Sequence, residues 1–443
     1  MLPATPSLSR TCARCVTVAL AFLGGGTAAQ SASDPRNDYE VRAQQLVASR
    51  VFKAAVASFE RDFDRFVSDL IALTEIPAPP NGEEARAYAY LAFMVEAGLH
   101  RATVDDFGNA VAIWRGGRSA PLVAVGAHLN TVFPAGTNVK VKRDGTTLRA
   151  PGVGDNARGL AFLLAAVRAM RAADIQTATD ILFIGTVGEE GTGDRRGMRY
   201  FFTDNEWRAR VERFIAIDGS ANDVITNGAE GSLRYRVTFK GAGEPAGGAS
   251  GHASPALARP MGKVSTNLAK IVGPMRPRVS YSVGAHPGAT AANSNPFETT
   301  MEVELRSTSP EELKDADAQF QRIVREAVAD ENQAQAATGG SIRVDVNLIE
   351  SRSAGVTPAD SPVLRQVAAT MKQFGKVPVW GTGRTDANIP ISLGVPAFAM
   401  ATQSANHGGG AHSLDEWTDV EKKAAVKDFA LALAILLTVV DHQ

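Results

Sequence analysis

The amino-acid sequence predicts an α/β fold in which a sheet with helices on both faces is interrupted by a smaller α+β domain. The first observation is length, because 443 residues exceed the roughly 100 to 200 residues of one domain and indicate two. The second is the alternation of strand-like and helix-like segments, and the third is a change of pattern at about Gly231.

The composition excludes some classes of partner. With 44% hydrophobic and 21% charged residues, the chain is typical of globular proteins. Its formal net charge of -1 gives no large positive field that would attract nucleic acid or anionic lipid. We therefore expect neither nucleic acid nor a membrane surface as a partner.

The first residues have the pattern of a secretory signal. Arg10 and Arg14 precede the apolar run 16–23, and small residues follow up to Ala29. The run is far shorter than the roughly 18 to 20 residues that span a bilayer, so we expect cleavage after Ala29 and an exported protein, periplasmic or secreted. An uncleaved anchor is the alternative.

Both cysteines, Cys12 and Cys15, lie in this signal segment, residues 1–29. Their Cys-x-x-Cys spacing is therefore not expected to form a redox or zinc motif in the folded protein. Without disulfides the exported protein would depend on the size of its core, and a metal site would use histidine and carboxylate ligands.

The larger domain is predicted to comprise 30–230 and 348–443. Apolar residues recur with helical spacing over 39–74, and the Pro- and Gly-rich segment 77–82 ends that pattern. Short apolar strands then alternate with helices, which favours a sheet that binds ligands beyond the carboxyl ends of its strands. The predicted strands are 122–126, 180–185, 214–217 and 395–400. One predicted helix begins at Glu83, and three others cover 159–173, 363–374 and 422–440.

The smaller domain is predicted to comprise 231–347. It opens with the segment 233–239, in which apolar and polar residues alternate as in a half-exposed strand. A loop rich in Gly, Ala and Pro follows, up to Pro260. The remaining predicted elements are a helix over 264–271, strands over 279–283 and 299–305, and a long polar helix over 311–335.

Five histidine and acidic residues fall at the ends of predicted strands or in loops of the larger domain. Buried carboxylates in such number would repel one another unless cations neutralised them, which favours a metal site over a charge network. Two histidines, two aspartates and one glutamate suit a pair of zinc ions bridged by one carboxylate. These residues are His128, Asp155, Glu190, Asp218 and His412.

Five segments resemble, in matching order, motifs of the co-catalytic zinc exopeptidases, which include aminoacylases, glutamate carboxypeptidases and bacterial tripeptidases. The segments are Gly126-Ala-His-Leu-Asn-Thr-Val132, the loop around Asp155, Val187-Gly-Glu-Glu-Gly191, Ile217-Asp-Gly219 and Gly408-Gly-Gly-Ala-His-Ser-Leu-Asp-Glu416. The resemblance covers the chain from about Ala72 to its end. It implies a zinc-binding α/β domain interrupted by a lid domain, which in many members also makes the contact of a homodimer.

The resemblance also implies how the metal ligands divide. His128 and Asp218 would bind one zinc ion, Glu190 and His412 the other, and Asp155 both. Cobalt or manganese in place of zinc stays an open alternative.

Glu189 would be the general base by the same resemblance. A water between two cations loses a proton far more readily than bulk water, and a neighbouring carboxylate can pass that proton to the leaving amine.

Three further residues resemble, or stand near, substrate-binding positions of the lid. Arg306 and Asn293 match positions that hold the substrate carboxylate, a task that suits the bidentate guanidinium. A surface charge is the alternative for Arg306. His252 follows several residues later than the family's lid histidine, so oxyanion stabilisation and an ordinary loop role are both open.

Asn130 stands where the family has an aspartate that orients the histidine ligand. An asparagine side chain can still accept a hydrogen bond from the ring, but it supplies no charge. We therefore expect weaker zinc binding or a shifted metal preference.

These observations favour a metal-dependent hydrolase that cleaves an amide bond in small peptides with a free carboxylate. An N-acyl amino acid deacylase is the alternative in the same reaction class. A catalytically impaired zinc- or peptide-binding protein is the alternative of another class, against which the intact Glu189 argues.

Overall fold

The structure is a computed structural model, and it describes residues 35–203, 206–241, 257–271, 279–286, 298–335 and 341–441. The predicted signal segment 1–29 and the predicted lid residues Asn293 and His252 lie outside these ranges. None of the described helices combines the length and the apolar character that crossing a membrane requires.

The described helices and strands are numbered separately along the chain. The strands are β1 (His100–Val104), β2 (Ala110–Trp114), β3 (Arg118–His128), β4 (Lys142–Asp144), β5 (Thr147–Arg149), β6 (Thr179–Thr186), β7 (Val211–Ile217), β8 (Val224–Ala229), β9 (Gly231–Lys240), β10 (Val279–His286), β11 (Glu298–Ser307), β12 (Arg343–Arg352), β13 (Gly355–Val356), β14 (Val379–Gly383), β15 (Ala397–Met400), β16 (Gly408–Gly409) and β17 (Trp417–Asp419). The helices are α1 (Pro35–Ala48), α2 (Arg50–Arg61), α3 (Phe63–Thr74), α4 (Glu84–Ala97), α5 (Gly159–Ala172), α6 (Arg196–Thr203), α7 (Ala258–Leu268), α8 (Pro310–Gln335), α9 (Pro362–Gln373), α10 (Asn388–Ser392) and α11 (Lys422–Val439).

A mixed sheet forms the centre of the larger domain. Among the described residues its strand order is β1-β2-β6-β3-β7-β15-β8-β13, with β14 beside β8. The central strands β6, β3, β7 and β15 run parallel, with His128 paired to Thr186 and Ile217 to Met400. Their carboxyl ends therefore meet at one edge of the sheet, where ligand sites form in such folds.

Helices cover both faces of this sheet, as predicted. Successive side chains of a strand point to opposite faces, so Val123 and Val125 pack in a core with α2, α3, α5 and α11. Leu122 and Ala124 pack on the opposite side with α6 and α10. The α/β prediction for the larger domain is confirmed.

The smaller domain is an antiparallel sheet with helices against one side. Its strand order is β10-β11-β9-β12, and α7 and α8 pack on it. Val237, Met301 and Phe320 are fully buried in its separate core. This arrangement is the predicted α+β insertion.

The smaller sheet continues beyond residue 347, the predicted end of the smaller domain. Strand β12 continues to pair with β9 as far as Arg352, with an irregularity between Leu348 and Glu350. Leu348 and Ile349 lie on this strand and are 50% and 42% exposed. The smaller sheet therefore extends to Arg352.

The predicted helical stretch 39–74 is divided into α1, α2 and α3. Ser49 separates the first two helices, and its hydroxyl accepts a hydrogen bond from the Phe52 N–H as an N-cap. Asp62 separates α2 from α3. The apolar spacing correctly indicates helix, but it does not show these local breaks.

We expect Phe429→Ala to lower the free energy of unfolding by about 3–5 kcal/mol, as truncation of a core phenylalanine does. Phe429 is 2% exposed, and its ring stacks on Phe59 with the ring centroids 3.8 Å apart. Chemical denaturation measures the change. The control Val377→Ala alters a side chain that is 80% exposed, and we expect a change within about 0.5 kcal/mol. Equal stability of both variants would contradict this packing.

Candidate metal centre

The five predicted ligands come together at the carboxyl edge of the large sheet. His128 ends β3, Asp218 follows β7, and Glu190 lies in the loop after β6. Asp155 lies in a single turn before α5, where the peptide bond to Asn156 is cis, and His412 lies in the loop after β16.

The ligand atoms form groups of the size that holds a metal ion. The imidazole of His128 and the carboxylates of Asp155 and Asp218 offer three atoms within 4.8 Å of one another. A second group with the same spacing comprises Asp155, Glu190 and His412. Asp155 is common to these two groups, and it is the residue to which the resemblance assigns both ions. A third group comprises His128, Glu189 and Glu190.

The orientation of His128 is fixed by the backbone. Its Nδ1 lies 2.9 Å from the Asn130 carbonyl oxygen and its Nε2 lies 2.8 Å from Asp155 Oδ1. Because a carbonyl can only accept, Nδ1 donates, and Nε2 is the nitrogen that faces the centre. Burial lowers the pKa of His128, but Asp155 and Asp218 outweigh burial and hold this pKa well above its usual value.

Asn130 acts differently from the sequence prediction, because its side chain does not bond the His128 ring. Its Oδ1 accepts from the N–H groups of Glu189 at 3.2 Å and Glu190 at 3.4 Å. Its Nδ2 donates to the Glu190 carbonyl at 3.2 Å. An ionised aspartate could not make that last bond, since it has no donor. Asn130 therefore holds the loop that carries both glutamates.

His412 closes the centre from the opposite loop. Its Nε2 lies 2.7 Å from Glu190 Oε1 and 3.2 Å from Asp155 Oδ2. The hydrogen bond with Asp155 is the largest of the effects that raise the pKa of His412 to about 9. His407 anchors the same loop, because its Nδ1 lies 2.8 Å from Asp428 Oδ2.

The concentration of negative charge fits a site for cations. Burial raises the pKa of Asp218 well above its usual value, and neighbouring Asp155 and Glu189 add to this effect. Burial also raises the pKa of Glu190. A cation would offset both effects, since an opposite charge favours the ionised carboxylate. Imidazole nitrogens and carboxylate oxygens are ligands that zinc binds.

Arg195 is a site residue that the sequence analysis missed. Its Nη2 donates to Glu189 Oε1 at 2.8 Å, and the side chains of both residues are only 4% exposed. Its Nε donates to the Thr385 carbonyl at 2.9 Å. The available signal was the charged run Asp194-Arg-Arg196 in a Gly-rich loop directly after the two glutamates. Arg195 neutralises and orients the carboxylate of Glu189.

Asp386 is a second buried acid near Glu189. Burial raises its pKa to about 7, and the charge of Glu189 adds to this effect. One of its oxygens accepts from the Thr186 hydroxyl, whereas the other has no hydrogen-bond partner among the described residues. The sequence gives no indication of this contact, because Asp386 and Thr186 are distant along the chain.

Glu416 supports the loop that carries Asp155. Its carboxylate accepts hydrogen bonds from the N–H groups of Gly152 at 2.8 Å, Gly154 at 2.7 Å and Asp155 at 2.7 Å. Burial raises the pKa of Glu416 to about 7, although the three hydrogen bonds favour the carboxylate and lower the pKa. Glu416 ends the motif that also contains His412, but its position in that motif does not reveal its role.

A cavity of about 920 Å³ opens over the centre. Three arginines from other elements, Arg234, Arg352 and Arg384, also line it. The predicted substrate ligand Arg306 is not among the described lining residues, and its Nη2 bonds Glu304 Oε2 at 2.6 Å. Its predicted contact with substrate stays a prediction.

The fold and its ligand set define a metal-dependent hydrolase of peptide or amide bonds. The chain belongs to Peptidase family M20/M25/M40, whose sequence profile matches residues 124–442. The resemblance drawn from the sequence motifs is thereby confirmed. No curated protein matches the chain.

Solved structures of low sequence identity share the fold. Aminopeptidase PepT from Bacillus cereus is 20% identical, with a TM-score of 0.69 over 85% of this chain and 98% of that chain. A tripeptidase from Staphylococcus aureus is 19% identical, with a TM-score of 0.64 over 85% of this chain and 97% of that chain. The di-peptidase Dug1p from Saccharomyces cerevisiae is 15% identical, with a TM-score of 0.61 over 88% of this chain and 98% of that chain.

We expect Glu416→Ala to weaken metal binding about 10- to 100-fold, as loss of a residue that supports a ligand typically does. The reason is that three N–H groups around Asp155 lose their acceptor. Titration with a competing chelator measures the affinity. Glu421→Ala is the matched control, because Glu421 also accepts two backbone N–H bonds but caps α11. Equal metal affinity in the two variants would contradict the supporting role.

Proposed function

We propose that this hydrolase cleaves the amide bond of small peptides with a free carboxylate, using two zinc ions. His128 and Asp218 would hold one ion, Glu190 and His412 the other, and Asp155 both. The observation that carries the proposal is the presence of Asp155 in two groups of ligand atoms, with the carboxylate of Glu189 beside them. Cobalt or manganese stays the alternative to zinc.

Glu189 is the proposed general base. Zinc ions bound at the centre would make a water more acidic and polarise the scissile carbonyl. Glu189 takes a proton from the attacking water and passes it to the leaving nitrogen as the C–N bond breaks. Arg195 bonds Oε1 of Glu189, whereas Oε2 has no hydrogen-bond partner among the described residues. Oε2 is therefore the atom that we assign to the proton transfer.

Recognition of the substrate is proposed to involve the smaller domain. Arg306, Asn293 and His252 are the proposed ligands of the substrate carboxylate and the developing oxyanion, on the resemblance of their segments to the family's lid. A homodimer through this domain rests on the same resemblance. Export to the periplasm or medium is proposed from the signal pattern of residues 1–29.

Two alternatives define what a substrate screen must include. An N-acyl amino acid deacylase would use the same residues on a different amide. A binding protein without turnover would hold metal and peptide. It would not hydrolyse dipeptides, tripeptides or N-acyl amino acids. Hydrolysis that a chelator abolishes and added zinc restores supports the proposal, and hydrolysis that a chelator leaves unchanged would refute the metal centre.

We expect Glu189→Gln to lower kcat by about 10²- to 10⁴-fold, the range typical of general-base catalysis. The variant should retain its metal, because Glu189 is the proposed base and not a ligand. Steady-state kinetics and metal analysis of the purified protein measure the two effects.

The neighbouring variant Glu190→Gln is the matched comparison and should lose metal together with activity. Thermal unfolding checks that Glu189→Gln is folded, since the change removes the charge that pairs with Arg195. Undiminished turnover in folded Glu189→Gln would overturn the assignment of the base.

A further inference from the structure

One wall of the cavity carries three arginines that the proposed chemistry does not use. Arg234 comes from β9, Arg352 ends β12, and Arg384 follows β14. The same cavity is lined by Glu189 and His412. A substrate whose scissile bond lies at the metal centre can therefore extend toward these guanidinium groups.

The carboxylates around these arginines are too few to neutralise them. Within the described residues, four arginines pair with three glutamates, which leaves an excess of one positive charge. The arginines are Arg234, Arg306, Arg352 and Arg384, and the glutamates are Glu230, Glu304 and Glu350. The substrate α-carboxylate that the proposed function assigns to Arg306 would balance this excess, so a second carboxylate would depend on the unbonded donors of Arg352 and Arg384.

Two of these guanidinium groups have donors to spare. Arg352 bonds Glu350 through Nε, and its two terminal nitrogens have no hydrogen-bond partner among the described residues. Arg384 bonds Glu230 through Nε, and its buried Nη2 lies 3.5 Å from Glu304 Oε1 in an ion pair, whereas its Nη1 makes no hydrogen bond in the described part of the chain. A guanidinium can donate two parallel bonds to one carboxylate, so these free nitrogens suit such a ligand.

The positive charges also crowd one another. Burial lowers the pKa of Arg352, and the nearby charges of Arg195 and Arg384 lower it further. A bound anion would relieve this repulsion. Arg352 is only 16% exposed and Arg384 only 30%, so the attraction is screened less than at an open surface.

We propose that Arg352 and Arg384 form a subsite for a carboxylate side chain of the substrate. The substrate class is then acidic: a small peptide or N-acyl amino acid with an aspartate- or glutamate-type side chain. The inference rests on the proposed function, which assigns the free α-carboxylate of the substrate separately to Arg306. The cavity of about 920 Å³ has the size of a small-molecule site.

Paired substrates that differ only in glutamate versus glutamine test the subsite. We expect kcat/KM to be about 10- to 100-fold higher for the glutamate member, the range of a charge-assisted hydrogen bond. Arg352→Gln and Arg384→Gln should each bring this ratio toward one. A ratio near one in the unaltered protein would overturn the proposal.

Arg236→Gln is the matched control. Arg236 lies on β9 two residues from Arg234 and pairs with Glu302 at 2.8 Å, but it does not line the cavity. The variant removes a paired arginine from the same strand, and the ratio should stay unchanged. Variants of Arg352 and Arg384 that shift Tm but keep the ratio would show a purely structural network and refute the subsite.

A binding measurement separates this inference from the proposed function. Calorimetry on the metal-loaded Glu189→Gln protein compares N-acetylglutamate with N-acetylglutamine as probes. Tighter binding of N-acetylglutamate, lost in the additional variant Arg384→Gln, supports the subsite even if no substrate is hydrolysed. If the unaltered protein hydrolyses peptides or N-acyl amino acids but the two probes bind equally well, the proposed function is upheld and the subsite is refuted. Binding that weakens when the α-carboxylate of the probe is amidated, but not when its side-chain carboxylate is amidated, would also refute the subsite.

Discussion

The structure depends on how buried negative charge is compensated at the carboxyl edge of the large sheet. Asp155, Glu189, Glu190 and Asp218 meet there, and burial raises the pKa of Asp218 and Glu190. Such a concentration of carboxylates is costly unless positive charge accompanies it. Arg195 supplies that charge to Glu189. Asp155, Glu190 and Asp218 belong to groups of ligand atoms that could hold a metal ion, which is the basis of the proposed chemistry.

The fold brings these residues together through the parallel register of its central strands. His128 pairs with Thr186 across β3 and β6, so the loop with Glu189 and Glu190 begins beside the histidine. Asn130 then holds this loop through its side-chain amide. Contacts that bridge distant parts of the chain thus fix the positions of groups that must act together.

The five candidate metal ligands could be selected from sequence because their signal is local: each ends or follows a strand or lies in a Gly-rich loop. Arg195, by contrast, was missed because its importance depends on a hydrogen bond to Glu189 that only the folded loop makes. Glu416 and Asp386 act through chain segments far away in sequence. The end of the smaller sheet likewise depends on a contact between distant segments, since β12 pairs with β9 as far as Arg352.

The metal content of the purified protein tests the central claim most directly. Mass spectrometry under native conditions counts the ions bound to each chain, in the unaltered protein and in Asp155→Ala. Because Asp155 belongs to the group with His128 and Asp218 and to the group with Glu190 and His412, we predict two ions per chain in the unaltered protein and impaired binding of both in the variant. Two tightly bound ions in folded Asp155→Ala, or none in the unaltered protein supplied with zinc, would contradict it.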